Sequence, residues 1–478
     1  ADLKLYPSAD LDASWKKLLI NQFHDIIPGS SINLVYQNTH KEYINIHKKC
    51  DELIEKGVAT LFQKSDNSFV LSNILSYSYE GLKKTPKNFI GYSLITENNE
   101  EISTQEINGD NYCQVSLPPF SFTNFYKGEK QKPQTKKGSG FVLENELVQY
   151  NFSKDGTLTS AVDKEINKNL LSAPGNVLSL YEDRPHDWDA WEIDFYYRDS
   201  LLETASIEKI NKVQNGPVLS SLEIDYNIGN SSIKQIITLS NKSKRLDFDT
   251  LVYWNEKHKM LRVHFPTNIV SEQASFDIQY GYVKRNTHKN TSWDRAKFEV
   301  VGHKYADLSD NDYGIAILND CKYGYTIFDK TVDLNLLRSP NNPDPDADLG
   351  EHSFTYSFYP HEHDLIRSNV IEEATRLNQP PLLFDHLKNI ESKSPINFEG
   401  EGIEISAIKK SEENNEIIIR AVETLGKTSK GKIYFNGKIT ETNLMERRNL
   451  KPALRVKNSS TLTLKPFEIK TYKCALSK

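Results

Sequence analysis

Apolar residues recur at helical spacing along the first 64 residues of the chain. A Pro-Gly pair at residues 28–29 interrupts the first stripe, and a second, intermittent stripe follows it from Ile32 to Phe62. Two stripes separated by such a break predict two antiparallel helices of a bundle, joined by a turn. The apolar positions of the first stripe are Trp15, Leu18, Leu19, Phe23 and Ile26.

The pattern changes after residue 65 to short segments rich in β-branched and aromatic residues, separated by Asn, Gly and Pro. No amphipathic helices of about a dozen residues alternate with these segments, which argues against βαβ units and favours antiparallel sandwiches. Residues 144–164 predict a hairpin that turns at Asp155-Gly156, because this pair adopts the positive φ angles of hairpin turns. We therefore expect a mainly β fold in which a helical-bundle segment precedes antiparallel β-sandwich domains.

Shifts in composition divide the chain into five predicted parts. The apolar-poor stretch KGEKQKPQTKKGSG marks a linker or exposed loop between the second and fourth parts. The parts are a helical-bundle segment at 1–64, a small β-domain at 65–126, the linker at 127–140, a large β-sandwich at 141–375 and a C-terminal β-domain at 376–478.

Charge and cysteine usage exclude several classes of protein. The chain of 478 residues carries a net charge of −6, which argues against a nucleic-acid-binding protein. No stretch approaches the ~20 apolar residues of a membrane helix. The four cysteines lie far apart and form no CxxC pair, so a reducing compartment is expected, and we predict a cytoplasmic location. The chain begins at Ala1, which suggests a processed product or part of something longer.

His24 and Asp25 stand side by side on the first predicted helix, just before its turn, where a buried imidazole and carboxylate need partners. One interpretation is structural: His24 caps or pairs with a neighbouring helix. The other is a metal ligand or catalytic residue whose partners lie elsewhere, since one histidine cannot make a zinc site with its three or four protein ligands.

Motifs along residues 15–361 point to a family. They follow one another in a fixed order and are too long to arise from composition alone. They are Trp15, NQFHD at 21–25, PGSSI at 28–32, VY at 35–36, DWDAWE at 187–192, THKNTSWD at 287–294, YGIAILNDCKYGY at 313–325, LRSP at 337–340 and HSFTY at 352–356.

The chain that carries these motifs resembles glycoside hydrolase family 38, the α-mannosidases, in particular their cytosolic and bacterial branch. The resemblance implies that the large β-domain is a supersandwich of the galactose-mutarotase type. Family members begin with a (β/α)₇ barrel that carries an HxD metal-binding pair, the nucleophilic Asp and the general acid, and none of these is found here. The chain therefore resembles the C-terminal half of an α-mannosidase, which should be inactive alone.

The resemblance also implies a chemistry. Family members hydrolyse terminal α-mannose from glycans with retention, which uses two carboxyl groups about 5 Å apart, and a zinc ion grips two hydroxyls of the mannose. The QFHD histidine is the family's C-terminal zinc ligand, so His24 is expected to ligate zinc. Asp25 is expected to accept a hydrogen bond from substrate or to orient the histidine. The chain alone should not retain zinc.

Further substrate-binding candidates lie in the β-region. Asp187, Trp188, Asp189 and Trp191 offer carboxylates and flat aromatic faces, as a sugar platform does, although an edge loop with packed tryptophans fits equally well. By resemblance Arg338 reaches toward substrate, whereas the alternative is an ion pair with Asp344 or Asp346.

A second histidine pair, His361 and His363, lies two residues apart, so that both imidazoles would share one face of a strand. We interpret this pair as part of a surface strand rather than as a site.

Two alternatives to a catalytic part remain open. The β-domains could form a non-catalytic carbohydrate-binding or scaffold module, because one fold hosts many functions. The chain could also be a subunit bound to its N-terminal barrel half, since the helices expect apolar partners. Mannose-containing glycans and that barrel half are the expected partners, and an oligomer is left open.

Overall fold

A pair of antiparallel helices opens the fold. The computed structural model describes residues 3–132, 135–138, 140–211, 213–389 and 396–476. After a short 3₁₀ turn at Leu3–Leu5, helix α1 spans Ser8–Asn21 and helix α2 spans Asn33–Leu61. The predicted helical pair is confirmed. His24 and Asp25, however, follow the end of α1 and lie in the turns between the helices.

Buried polar contacts join the two helices. Asn21 is 3% exposed, and its amide donates to Glu42 Oε2 at 2.8 Å. The same side chain accepts from the Thr39 hydroxyl at 2.8 Å. By contrast, the apolar stripe of α1 and the following turn is largely open: Trp15 is 58%, Leu19 61% and Phe23 56% exposed. The predicted stripe exists, but no part of the described chain covers it.

Two sheets form the small β-domain that follows the helices, and they share an aromatic core. Phe69 stacks on Phe125 with ring centroids 5.3 Å apart and meets Phe89 edge-on at 4.9 Å. The five-stranded sheet runs, in spatial order, Leu382–Asn389, Phe62–Asn73, Ser121–Lys130, Tyr92–Thr96 and Glu101–Ile102. The three-stranded sheet runs Tyr79–Lys84, Asp110–Leu117 and Thr104–Ile107, with a 3₁₀ turn at Lys87–Phe89 nearby.

Two features of this domain differ from the sequence prediction. The strand Leu382–Asn389, in the segment assigned to the C-terminal domain, pairs with Phe62–Asn73 at the edge of the small domain. The predicted linker 127–140 is partly strand, because Ser121–Lys130 continues into it and Lys136–Lys137 pairs with Gln214–Asn215. Residues 133, 134 and 139 of that stretch lie outside the described residues.

Three sheets share the large core of the middle region. Phe248 stacks on Tyr356 with ring centroids 4.9 Å apart, beside Phe265 and Phe358. Within the described residues the largest sheet has eleven strands, in the order Gly281–Asn286, Gln273–Ile278, Tyr305–Ser309, Tyr313–Asn319, Gly350–Glu362, Leu246–Trp254, Ser231–Ser240, Leu219–Ile228, Gln214–Asn215 and Lys136–Lys137, with Ser206–Ile210 also paired to Leu219–Ile228. The second sheet runs Leu201–Thr204, Val177–Glu182, Lys259–Pro266, Thr331–Arg338, Gly324–Phe328 and Val300–Val301. The third runs Lys168–Asn169, Leu158–Asp163, Val148–Phe152 and Val142–Glu144.

The hairpin predicted at 144–164 is confirmed, since Val148–Phe152 pairs with Leu158–Asp163 and Gly156 has φ +78°. Helix α3 at Ser292–Ala296 begins with a capping box between Thr291 and Asp294. Helix α4 at Val370–Asn378 packs through Val370 and Ala374 onto the large sheet. The remaining 3₁₀ turns are Phe195–Asp199 and Leu365–Arg367.

A two-sheet sandwich ends the chain, with Phe398, Ile419, Ile433 and Tyr472 in its core. The strands that pair within the described residues do so antiparallel, so the expected mainly β architecture is confirmed. No helix within the described residues has the length and apolar character needed to cross a membrane. The two sheets run Asn397–Gly400, Ser429–Tyr434 and Ser459–Leu464, and Ile403–Lys410, Ile417–Glu423, Ile469–Leu476, Gly437–Thr442 and Leu454–Val456.

Candidate functional site

The turn between α1 and α2 presents His24. Gly29 has φ +84°, which permits the reversal of the chain. The backbone oxygen of Asp25 accepts from the Ser31 hydroxyl at 2.6 Å, and the Ser31 amide donates to the Tyr36 hydroxyl at 2.7 Å. These bonds tie the turn to the first turns of α2 and fix the backbone beside His24.

The His24 imidazole is open to solvent on one side and meets aromatic rings on the other. Its side chain is 67% exposed, and its Nε2 lies 3.5 Å from Asp25 Oδ2. The Phe23 ring lies 4.2 Å away, centroid to centroid, and the Trp191 ring 6.3 Å away. The structure thus brings together His24 and Trp191, which are distant in sequence.

Trp191 belongs to what we call the aromatic loop, residues 183–194, between the strand Val177–Glu182 and the 3₁₀ turn Phe195–Asp199. The loop turns at Trp188, whose φ is +56°, and the Trp191 amide donates to the Trp188 oxygen at 2.7 Å. Trp188 is 73% and Trp191 54% exposed, so both indoles present open faces. The Asp187 side chain is also open, at 71% exposure.

Asp189 points inward instead. Its Oδ2 accepts from the backbone amides of Asn341 and Asn342, the second at 3.1 Å. Its Oδ1 lies 3.5 Å from His258 Nδ1, and the side chain is 15% exposed. Of the four loop residues predicted to bind substrate, Asp189 is therefore engaged by the protein itself.

Arg338 is the last residue of the strand Thr331–Arg338, and its side chain contacts the aromatic loop. Its guanidinium bonds to the carboxylate of Asp183, which is 1% exposed. Burial raises the pKa of Asp183, although Arg338 acts against that shift. The alternative ion pair of Arg338 with Asp344 or Asp346 does not form, because the carboxylate that Arg338 binds is that of Asp183.

Those two carboxylates have other partners. Asp344 accepts from the Asn33 amide at 3.1 Å, which joins the start of α2 to the segment after Arg338. Asp346 pairs with Lys257 at 3.2 Å.

The sequence patterns did not predict roles for Asp183, His258 and Asn33. The only signal was the position of Asp183 directly after an apolar strand, where a carboxylate often fixes the following loop.

The second histidine pair does not form the predicted surface strand. His361 is 3% exposed, and its Nε2 lies 2.7 Å from Asp307 Oδ1. His363 follows the end of the strand at Glu362 and has φ +64°, so the two residues do not share one regular strand.

The side chains around His24 could supply only part of a metal site. Among the residues that the structure describes, no three His, Cys, Asp or Glu side chains lie together so as to hold a metal ion. Around His24 the chain offers one imidazole and the carboxylate of Asp25. A zinc site needs three or four protein ligands, so these residues fit part of a site and not a whole one.

Comparison with protein families matches most of the chain. Residues 2–61 match the alpha mannosidase middle domain. Residues 143–346 match the glycosyl hydrolases family 38 C-terminal domain. Residues 402–472 match the glycosyl hydrolases family 38 C-terminal beta sandwich domain. The first two matches contain His24, the aromatic loop and Arg338.

Named relatives agree with these family matches. The chain is 33% identical to Alpha-mannosidase G of Dictyostelium discoideum, over 98% of this chain and 48% of that protein. It is 30% identical to human Alpha-mannosidase 2C1, over 97% of this chain and 45% of that protein. The chain therefore spans a little under half the length of these relatives.

Solved structures share the fold. A protein of glycosyl hydrolase family 38 from Enterococcus faecalis superposes with a TM-score of 0.79 at 17% identity, over 99% of this chain and 66% of that one. An alpha-mannosidase from Enterococcus faecalis V583 gives a TM-score of 0.78 at 19% identity, over 98% and 64%.

Proposed function

This chain belongs to glycosyl hydrolase family 38, and we propose that it is the C-terminal part of a retaining, metal-dependent α-mannosidase. The whole protein would remove terminal α-mannose residues from glycans. The observation that carries the proposal is the exposed imidazole of His24 beside the open face of Trp191.

In this proposal His24 supplies one ligand to a divalent metal ion, for which zinc is the candidate. When bound, such an ion polarises substrate oxygens and stabilises charge in the transition state. Asp25 lies close enough to orient the imidazole or to accept a sugar hydroxyl. Trp191 and Trp188 offer the flat faces on which the apolar side of a sugar ring packs, and Asp187 offers a carboxylate for hydroxyls.

The nucleophile, the general acid and the other metal ligands would come from an N-terminal barrel half. The open apolar surface of the helical pair supports this, because Trp15, Leu19, Ile20, Phe23 and Ile27 are each more than half exposed. A surface of this kind in a soluble protein marks an interaction site. The same surface is available to a second copy of the chain.

We also infer that the protein works in the cytoplasm. The four cysteines are free, and Cys113 and Cys474 are buried where burial raises the pKa of each thiol to about 12. Unpaired thiols of this kind are typical of a reducing compartment.

The test is hydrolysis of a chromogenic α-mannoside by the purified chain, with and without zinc, alone and co-expressed with an N-terminal barrel half of family 38. We expect no turnover from the chain alone and zinc-dependent turnover from the pair. His24→Ala should abolish the turnover of the pair, whereas His47→Ala, an exposed histidine on α2, should leave it unchanged. Turnover by the chain alone, or by the His24→Ala pair, would contradict the proposal.

A second candidate, a non-catalytic carbohydrate-binding module, is favoured by the exposed indoles of Trp188 and Trp191. Titration of the chain with oligomannosides tests it. Millimolar or tighter binding that is lost in Trp188→Ala, without turnover by the co-expressed pair, would favour the module. The absence of binding would contradict the module.

A further inference from the structure

The guanidinium of Arg338 is directed at the aromatic loop. Besides its ion pair with Asp183, Nη2 donates to the backbone oxygen of Asp189 at 2.9 Å and to that of Glu192. The side chain is only 16% exposed. The Arg338 guanidinium thus donates to Asp183, Asp189 and Glu192 of one loop. Because so little of the side chain is exposed, little of it can contact a ligand.

A second anchor lies one step further along the same segment. The backbone amides of Asn341 and Asn342 donate to the Asp189 carboxylate, which holds the loop from the other side of Arg338. The last residue of the strand, Arg338, therefore holds the loop by its side chain, and the segment after it, residues 339–342, holds the loop by its backbone.

The aromatic loop needs such anchors. Its two tryptophans are exposed, so burial of their rings contributes little to its order. Trp188 adopts a positive φ, which costs a residue with a Cβ some stability. Within the loop, the amides of Trp191 and Glu192 both donate to the Trp188 oxygen, at 2.7 and 3.0 Å.

We propose that Arg338 and Asp183 are positioning residues, which hold residues 188–192 so that Trp191 faces His24. The planar fork of arginine suits this role, since it serves a carboxylate and two carbonyl oxygens at once, and a lysine ammonium does not. Burial of Asp183 excludes water from the pair and strengthens it. The consequence for sugar rests on the proposed function; the hold on the loop does not.

The experiment compares Arg338→Lys and Asp183→Asn with the unchanged full chain. Amide hydrogen exchange is measured at Trp191 and Glu192 and, as an internal reference, along the strand Ser231–Ser240. We expect the two loop amides to exchange about tenfold faster or more in both variants, because charge-assisted bonds are lost, while the strand amides stay unchanged. The matched control is Arg245→Lys, an arginine with a 15% exposed side chain that bonds to Asp247 and Glu373 and not to the loop. It should leave both loop amides unchanged.

The affinity for methyl α-mannoside is measured on the same proteins. Weaker binding in both loop variants, with the control unchanged, supports the positioning role. Unchanged exchange of the loop amides in both variants would overturn the proposal. Equal acceleration of the loop amides and of the reference strand amides would also overturn it. Faster loop exchange with unchanged affinity would equally overturn a role in positioning. If neither the unchanged chain nor its pair with the barrel half binds the mannoside, the proposed function fails, and the exchange data still decide whether Arg338 and Asp183 hold the loop.

Discussion

At the scale of single residues, a buried charge network lies in the sheet beneath the aromatic loop. Arg262 is fully buried and donates to Asp333 at 2.6 Å and to Glu299 at 3.0 Å. His264 Nδ1 lies 2.9 Å from the same Asp333. Arg262 also lies over the ring of Tyr197, in the 3₁₀ turn that follows the loop. The network therefore supports the 3₁₀ turn that follows the aromatic loop.

Replacing Asp333 should be costly. In Asp333→Asn the guanidinium of Arg262 loses its strongest partner while it stays buried. We therefore expect the free energy of unfolding to fall by about 3–5 kcal/mol. Urea unfolding near neutral pH measures the difference. The control is Asp346→Asn, which removes an exposed pair with Lys257 and should cost less than about 1 kcal/mol. A loss at Asp333 no larger than at Asp346 would show that the network does not stabilise the fold.

The same residue predicts a dependence on pH. Burial opposes ionisation of Asp333, but Arg262 and His264 outweigh it and hold its pKa well below the usual range. A lowered pKa in the folded state gives stability that is complete above the ordinary value of about 4 and is lost as the pH falls below it. The chain should therefore lose stability below about pH 4 more steeply than Asp333→Asn does. Unfolding of both proteins is followed by circular dichroism as the pH is lowered. An equally steep loss of stability below about pH 4 in the two proteins would contradict this assignment.

At the scale of elements, polar contacts hold α1 against α2 where apolar packing is sparse. Asn21 bonds to Glu42 and Thr39 on the facing helix and, through its amide, to the Lys17 oxygen at 3.0 Å. The apolar stripe of α1 contributes little within the described chain, because its members are exposed. The helix pair thus depends on one buried amide more than the hydrophobic pattern suggests.

Asn21→Ala should loosen α1. Removing the amide takes this partner from the buried Thr39 hydroxyl and the half-buried Glu42 carboxylate of α2, which costs about 1–3 kcal/mol. We expect faster amide exchange along Ser8–Asn21 with little change in the β-domains. Asn45→Ala, at an exposed position of α2, serves as the control and should change exchange hardly at all. Equal protection of α1 in both variants would exclude the proposed role of Asn21.

At the scale of the whole molecule, segments far apart in sequence close the structure. The strand Leu382–Asn389 returns past the entire large sandwich to pair with Phe62–Asn73. Asn124, 2% exposed, secures it: its amide donates to the Asn389 oxygen at 3.1 Å, and its oxygen accepts from the Asn389 amide at 2.7 Å. Likewise, Asn33 and Asp344 join the helical pair to the large sandwich.

Asn124→Ala should release the returning strand. Two buried hydrogen bonds are lost, so we expect a local cost of about 1–3 kcal/mol and faster amide exchange across Leu382–Lys388. Asn98→Ala, at an exposed position of a nearby turn, is the control. If the strand amides keep their protection in Asn124→Ala, the pairing with Phe62–Asn73 alone is sufficient to hold it.

Local patterns along the chain were enough to predict the secondary structure and the family. The helical pair, the hairpin at 144–164 and the mainly β architecture follow from side-chain period and turn residues, which act over a few residues. The motifs around His24 and the aromatic loop were sufficient for the family, because residue type and order are written in the sequence itself.

Tertiary structure decided which of those residues face outward and which partners they take. Arg338 pairs with Asp183 rather than Asp344 or Asp346, Asp189 turns inward, and His361 is buried against Asp307. Part of the predicted linker, residues 127–130 and 136–137, forms strand, and the strand Leu382–Asn389 joins a sheet distant in sequence. The physical reason is common to all of these cases: hydrogen bonds and burial depend on which segments pack together, and residues 311 positions apart, Asn33 and Asp344, bond directly here. No pattern within a single segment records such a partner.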